Sequence, residues 1–85
     1  TAYDPDPGEI VYKVQFLTTF NKINTNSSKY KNLKDVDVYF QDGRYKYTAG
    51  VFKHEYEAKE YKNKIAKYGF SDAFVVKFRD GQRIK

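Results

Sequence analysis

Two alternating stretches joined by an Asp-Gly pair constrain the fold of this 85-residue chain more than any other feature. "VDVYF" at 36–40 places Val36, Val38 and Phe40 on one strand face, and "RYKYTAGVF" at 44–52 alternates in the same way. The "QDG" between them, at 41–43, is typical of a tight hairpin turn. The sequence therefore predicts an antiparallel β-hairpin in the middle of the chain.

The second strand of this hairpin separates tyrosines from basic residues. One face carries Tyr45, Tyr47 and Ala49, and the other carries Arg44, Lys46 and Thr48. Aromatic residues that recur on the period of an element usually belong to the core. We therefore expect the tyrosine face to be buried and the basic face to look outward.

Two further segments alternate, and one has the period of a helix. "IVYKVQFLTT" at 10–19 predicts a first strand with Tyr12, Val14 and Phe16 on one face and Lys13, Gln15 and Leu17 on the other; "DAFVVKF" at 72–78 predicts a last strand. "HEYEAKEYKNKIAKYG" at 54–69 predicts a helix, because early Glu and late Lys complement the helix dipole and Gly69 is placed to end it. Its apolar stripe consists of Ala58, Tyr61, Ile65 and Tyr68.

The remaining segments complete the predicted order of elements. The Asn and Ser cluster in "NTNSSKYKNL" favours a short helix near 28–33, and "RDGQRIK" at 79–85 is predicted to be a polar tail with another Asp-Gly turn. The order β-α-β-β-α-β predicts an α+β fold. We expect a ferredoxin- or RNP-like sandwich, with both helices on one face of a four-stranded antiparallel sheet and the other face bare.

Charge divides the chain near residue 10. All 16 Lys and Arg follow residue 10 whereas Asp4, Asp6 and Glu9 precede it, so 1–10 carry −3 and 11–85 carry +8 of the net +5. With both prolines, 1–10 is predicted to be an exposed acidic linker and 11–85 the folded domain. The basic body indicates an anionic partner, and lysines that merely solubilise a tyrosine-rich surface are an equally weighted alternative.

The sequence offers little of the chemistry that catalysis needs. Its one histidine, His54, stands where a helix would begin, which is typical of a capping or surface residue. No hydrolase or zinc-binding motif is present, and without cysteine there are no disulfides or thiolate metal sites. No apolar run approaches the ~18 residues of a membrane span. We expect a domain without catalytic activity, metal, cofactor or membrane span, and the initial Thr1 suggests a piece of a longer protein.

A bare face with aromatic and basic residues suits two kinds of polymer. Single-stranded RNA would stack its bases on strand aromatics, but "RYKYTAGVF" does not match the third-strand signature of RNA-recognition modules. A glycan would lay its apolar ring faces on aromatic side chains and pair its hydroxyls with amides and charged donors. The candidate glycan contacts are Gln15, Thr18, Tyr39, Arg44, Lys46 and Phe74. A protein–protein adaptor is a third possibility.

Four stretches in order give the chain a family resemblance. "YKVQ", "RYKYTAGVF", "EYEAKEYKNKIAKYGF" and "DAFVV" together resemble a SPOR (sporulation-related repeat) domain, over about residues 12–77. That family has V-Q on its first strand, Y-R-x-x-x-G-x-F on its third, a helix carrying E-A, and G-Y/F-x-D-A-F-V-V at its end. The variant is most similar to those attached to bacteroidete N-acetylmuramoyl-L-alanine amidases.

The resemblance implies a function and a location. SPOR domains bind peptidoglycan glycan strands from which amidases have removed the stem peptides, so it implies a wall-binding module in the periplasm or cell envelope of a Gram-negative bacterium. It also implies an amidase or another envelope or division protein fused at the N-terminal side, and it does not favour nucleic acid as a partner. Removing each stem peptide frees a lactyl carboxylate, and such anions suit a basic binding face.

The resemblance also implies which residues contact the glycan. Gln15 matches the groove glutamine of the family, Thr18 a small residue after it, Lys46 a usual arginine and Phe74 an apolar residue of the last strand. The sequence departs from the family where "L-T-T" replaces a first-strand "G-S-F" and where Arg44 replaces an aromatic residue. We infer that Tyr39 or Leu17 supplies the missing ring-stacking surface.

Overall fold

The computed structural model describes residues 3–85, and within them one α-helix lies against a five-stranded sheet. The strands are β1 (Ile10–Thr19), β2 (Asp37–Gln41), β3 (Arg44–Phe52), β4 (Phe74–Arg79) and β5 (Gln82–Ile84), and the helix is α1 (Glu55–Ala66). All strand pairs are antiparallel, in the order β2-β3-β1-β4-β5. The predicted α+β class is confirmed, but the sheet has five strands and not the four that were predicted.

The predicted first helix is wrong, because 28–33 contains only a single 3₁₀ turn, Ser28–Tyr30. Ser27 precedes this turn without making a side-chain cap. Tyr30 is instead buried against Phe16 and Phe70, with ring centroids 6.0 and 6.2 Å away. Burial of one aromatic ring therefore determines the path of this segment, and the loop covers the sheet where a helix was expected.

The fifth strand arises from the segment that was predicted to be a polar tail. Asp80 and Gly81 adopt φ angles of 51° and 79°, as Asp42 and Gly43 do at 55° and 74°. Two consecutive positive φ angles define the tight turn that matches the twist of paired strands. Each Asp-Gly pair therefore makes a hairpin, and the second hairpin adds β5 to the edge of the sheet.

The main core lies between α1 and the sheet, and the hairpin tyrosines face it as predicted. Tyr47 and Tyr61 are almost fully buried, and Tyr45 is half-buried against the same cluster. The Tyr47 hydroxyl accepts a hydrogen bond from the Ile23 amide at 2.7 Å, so its burial leaves no polar group unpaired. Tyr68 was also predicted to be in the core, but it is 47% exposed because it lies beyond the end of α1.

The start of α1 bears out the predicted position of its histidine. His54 is the N-cap residue, and its amide donates a hydrogen bond to Glu57 Oε1 at 3.2 Å. Glu55 and Glu57 lie in the first turn and Lys64 in the last, in the order that the helix dipole favours. The described helix ends at Ala66, short of the predicted Gly69.

Two β-bulges decide which residues face away from α1. Gln15 pairs with Thr48 but Leu17 with Tyr47, so Phe16 is an extra residue in β1. Phe16 and Leu17 therefore both pack on the helix side, and the predicted face of Leu17 is wrong. A second irregularity in β3 separates Ala49 from Phe52, and there Gly50 has a φ of 77°.

Candidate binding site on the sheet face opposite the helix

The face of the sheet opposite α1, called the far face below, brings together all the predicted contact residues except Leu17. Directly paired residues of antiparallel strands share a face. Gln15 pairs with Phe74, Thr18 pairs with Lys46, and Lys46 also pairs with Tyr39. Arg44 lies two residues before Lys46 on β3 and therefore faces the same way.

One half of the far face, over the start of β1, is filled by side chains and is not the bare surface that was predicted. Val11, Val76 and Phe78 form a second apolar cluster and are 5%, 2% and 3% exposed. Tyr39 reaches across the sheet from β2 and places its ring 5.1 Å from the Phe78 ring, edge to face. We call this cluster the filled half, and its packing contributes to stability.

The N-terminal segment packs against the edge of the filled half. Tyr3 packs against its cluster, and the Gly8 amide donates a hydrogen bond to Asp80 Oδ1 at 2.8 Å. The Tyr3 hydroxyl donates to Glu9 at 2.5 Å, which raises the pKa of Tyr3 to about 12 and lowers that of Glu9. The segment predicted to be an exposed linker is therefore attached to the domain from Tyr3 onward, and Ile10 already belongs to β1; the first two residues of the predicted linker lie outside the described part of the chain.

The other half of the far face, over the end of β1, is accessible, and we call it the open half. It consists of Gln15, Thr18, Lys46 and Phe74, with Arg44 and Phe20 at its edge. Phe74 is 47% exposed and Phe20 is 72% exposed. The open half therefore presents two aromatic rings on either side of polar and basic groups.

Phe20 is a candidate residue that the sequence did not point out. The Arg44 guanidinium lies 4.4 Å from the centroid of its ring, so the cation covers one ring face. The bulge at Phe16 shifts the alternation of β1, and simple counting of alternate positions misses such a shift. The sequence feature that could have pointed to Phe20 is a large aromatic residue at the end of a strand, between Thr19 and Asn21.

A chain of hydrogen bonds links four strand residues across the far face. Arg83 Nη1 donates to the Tyr39 hydroxyl at 2.9 Å, which donates to Gln15 Oε1 at 2.5 Å. Gln15 Nε2 then donates to Thr18 Oγ1 at 3.4 Å. Gln15 is only 4% exposed, so its amide is committed to neighbours, while Thr18 is exposed at the surface.

The cations of the far face are held by weak partners. Lys46 Nζ lies 3.1 Å from Gln41 Oε1 and 3.7 Å from Asp42 Oδ2, and the Asp42 side chain is 84% exposed. The Lys46 side chain is itself only 16% exposed, but its Asp42 partner is open to solvent, so we expect the ion pair to be weak and a ligand anion to be able to replace Asp42. Lys46 also lines a cavity of about 380 Å³ together with Arg83 and Lys85, which makes the cavity basic.

Lys13 is about as enclosed as Lys46, with side chains 14% and 16% exposed, but it lies over the other half of the far face. Its ammonium lies 3.6 Å from Asp37 Oδ2 and 4.5 Å from the centroid of the Phe78 ring. It therefore belongs to the filled half and packs over the apolar cluster with its side chain 14% exposed. Arg44 is the exposed cation of the open half, and Lys46 lies two residues after it on β3 with a mostly enclosed side chain.

Searches for relatives found no matching family model, no matching curated protein and no matching solved structure. Within residues 3–85, no three His, Asp or Glu side chains come together in a way that could hold a metal ion. The same residues contain no helix with the length and apolar character that crossing a membrane requires. Fold and surface define an α+β domain with one helix, a five-stranded antiparallel sheet and an aromatic and basic patch on the far face.

Proposed function

We propose that this chain is a non-catalytic module that binds peptidoglycan glycan strands stripped of their stem peptides. The observation that carries the proposal is the Thr18–Lys46 pair on the open half, with the exposed ring of Phe74 beside Gln15 and that of Phe20 under Arg44. A glycan needs flat apolar surfaces for its sugar rings and donors for its oxygens. The open half supplies both within one strip of the far face.

The carboxylate of a peptide-free muramic acid gives the basic residues their role. Lys46 and Arg44 offer cationic donors, and each charge-assisted hydrogen bond is worth about 1–3 kcal/mol where it is shielded from water. A muramic acid that retains its peptide has an amide at this position and adds bulk. Selectivity then combines a lost ion pair with a steric clash.

We also propose the finer features that the resemblance to SPOR domains implies. The arrangement is a ferredoxin-like one in which the first helix is reduced to a 3₁₀ turn and β5 is added at one edge. The module resides in the periplasm or envelope of a Gram-negative bacterium. It directs an attached enzyme, in particular an N-acetylmuramoyl-L-alanine amidase, to sites where peptides have been removed.

Pull-down with purified cell-wall sacculi tests the proposal. The unmodified chain should sediment with amidase-treated sacculi and much less with intact sacculi. Lys46→Glu should weaken sedimentation about 10-fold or more, because it replaces a cation by a negative charge that repels the carboxylates of the glycan. The matched control is Lys59→Glu on the exposed side of α1, which makes the same charge change away from the open half and should sediment normally.

Single-stranded RNA is the competing ligand, because the exposed rings of Phe74 and Phe20, the latter beside Arg44, also suit stacked bases. Binding to poly-U without binding to treated sacculi would replace the glycan proposal by the RNA alternative. Binding to neither polymer would leave a protein partner as the remaining function of this face. Equal sedimentation of Lys46→Glu and Lys59→Glu would show that the ligand sits elsewhere.

A further inference from the structure

The hydrogen-bond chain from Arg83 to Thr18 has a fixed direction. A guanidinium can only donate, so the Tyr39 hydroxyl accepts from Arg83 and must use its own hydrogen on Gln15 Oε1. The other end of the Gln15 amide is then Nε2, which donates to Thr18 Oγ1. The donor and the acceptor of each of these three hydrogen bonds are therefore defined.

We infer that this series of hydrogen bonds makes the Thr18 hydroxyl an outward-pointing donor. The open half then prefers a carboxylate oxygen as its ligand. The inference rests on the proposed function and adds to it the residue that reads the anion. Gln15 occupies one of the two lone pairs of Thr18 Oγ1 and leaves the hydrogen of this exposed hydroxyl for donation. Lys46 stands directly opposite Thr18 and also only donates. A group that only accepts fits between them.

Arg83 and Tyr39 are positioning residues in this scheme and make no contact with the ligand. Tyr39 is half-buried and packs on Phe78, and Arg83 comes from β5 at the opposite edge of the sheet from β2. Arg83 Nε is buried and has no hydrogen-bond partner among residues 3–85. An unpaired buried donor costs stability, and holding Tyr39 in one orientation gives a functional reason to keep the arginine in this place.

The series of hydrogen bonds also makes the Thr18 hydroxyl a stronger donor. Hydrogen bonds in series polarise one another in a low-dielectric environment, and a cation at the start of the series adds to the effect. Gln15 and Thr48 beneath the chain are 4% and 1% exposed, so water has little access to its middle. The positive charge of Arg83 therefore supports an anion at Thr18 without touching it.

Calorimetric titration with two soluble ligands tests the inference. One is a peptide-free glycan tetrasaccharide with free lactyl carboxylates, and the other is the same oligosaccharide with each carboxylate converted to a methylamide. Thr18→Val should bind the free acid about 5- to 10-fold more weakly, and Thr18→Ser should bind it like the unmodified chain, because serine keeps the hydroxyl. The methylamide should bind weakly and equally to all three proteins.

Tyr39→Phe examines the relay itself. It should weaken binding of the free acid about as much as Thr18→Val does. The double variant should bind no more weakly than either single variant, because both changes interrupt the same series of hydrogen bonds. Tyr45→Phe removes a tyrosine hydroxyl on the opposite face and should leave affinity unchanged. Thermal unfolding confirms that each variant is folded, and Thr18→Val at an exposed site keeps the inference testable if Tyr39→Phe is unstable.

The outcomes separate the inference from the proposed function. If the unmodified chain binds neither oligosaccharide, the proposed function is wrong and the inference falls with it. If it binds the free acid tightly and Thr18→Val binds equally well, the inference is overturned while the glycan proposal stands. Additive losses in the double variant would show that Tyr39 acts independently of Thr18, which also overturns the relay.

Discussion

Gly50 determines the orientation of the residues that follow it in β3. Its φ of 77° lies in the left-handed region, and a Cβ added there would come within 2.7 Å of Cζ in the Phe52 ring. The bulge at this glycine sends Val51 to the filled half and Phe52 to the α1 side, where the Phe52 ring packs 5.4 Å from that of Tyr61. The bulge at Gly50 thus directs Val51 and Phe52 to the apolar clusters on opposite faces of the sheet.

Gly50→Ala should therefore lower the free energy of unfolding by about 2–4 kcal/mol, from backbone strain together with displacement of Phe52. Gly43→Ala separates the two causes, because Gly43 has a similar φ of 74° but a methyl group added there would meet none of the described residues within 4 Å. That control should lose about 1 kcal/mol in denaturant unfolding. Equal losses for the two variants would contradict the packing role of Gly50.

The hydrogen bond between Tyr3 and Glu9 makes attachment of the N-terminal segment depend on pH. The pKa of Tyr3 is raised to about 12 by this bond, so its contribution is complete below the ordinary 10.0 and is lost as pH rises through 12. The pKa of Glu9 is lowered from 4.5, so the same bond is complete above that value and is lost as pH falls below it. The segment should be held most firmly between these limits.

Titration of the Tyr3 ring signals by NMR measures this directly. In Glu9→Gln the pKa of Tyr3 should fall toward the ordinary 10.0, because the hydrogen bond to Glu9 is the largest cause of its shift. Asp4→Asn is the matched control, since Asp4 acts on Tyr3 only through its charge and is the weakest cause. A Tyr3 pKa that stays near 12 in Glu9→Gln would refute the contact.

At the scale of elements, β4 carries two phenylalanines on the same face with different functions. Phe78 is 3% exposed in the filled half and Phe74 is 47% exposed in the open half. Phe78→Ala should lower the free energy of unfolding by about 3–5 kcal/mol, because it leaves a cavity under Tyr39. Phe74→Ala should change it by less than about 1 kcal/mol.

The Phe74→Ala variant also tests whether Phe74 contributes to binding and not to stability. Phe74→Ala should weaken sedimentation with amidase-treated sacculi although the protein stays folded, because a sugar ring loses its stacking surface. Circular dichroism and pull-down on the same preparation give both numbers. A stable Phe74→Ala variant that sediments normally would remove Phe74 from the site.

The elements that the sequence predicted well have strong local signals. The central hairpin combined alternation with an Asp-Gly turn, and α1 combined an apolar stripe with ordered charges. β5 was missed because it has only three residues, two of them polar, and the turn at Asp80 with main-chain pairing to β4 is sufficient to form it. The helix expected at 28–33 failed because burial of Tyr30 outweighed a weak local preference.

At the scale of the whole molecule, the side chains of the far face meet across the sheet, which alternation alone does not reveal. Arg83 on β5 reaches Tyr39 on β2, although these strands form the two edges of the sheet. Alternation predicts the face of a residue where the strand is regular, and it fails after the bulge at Phe16; it does not show how far the side chains of one face extend over another strand. Gln15, Thr18, Lys46 and Phe74 were thus predicted to share a face, whereas the division of that face into a filled and an open half required the structure.

Chemical-shift mapping with a soluble peptide-free glycan is the most direct test that the open half binds a carboxylate-bearing strand. The account predicts that the largest shifts of backbone amides occur at Thr18, Lys46 and Phe74, with small changes along α1 and in the filled half around Val11. Shifts concentrated on α1, or no shifts at a glycan concentration that saturates binding to sacculi, would contradict it.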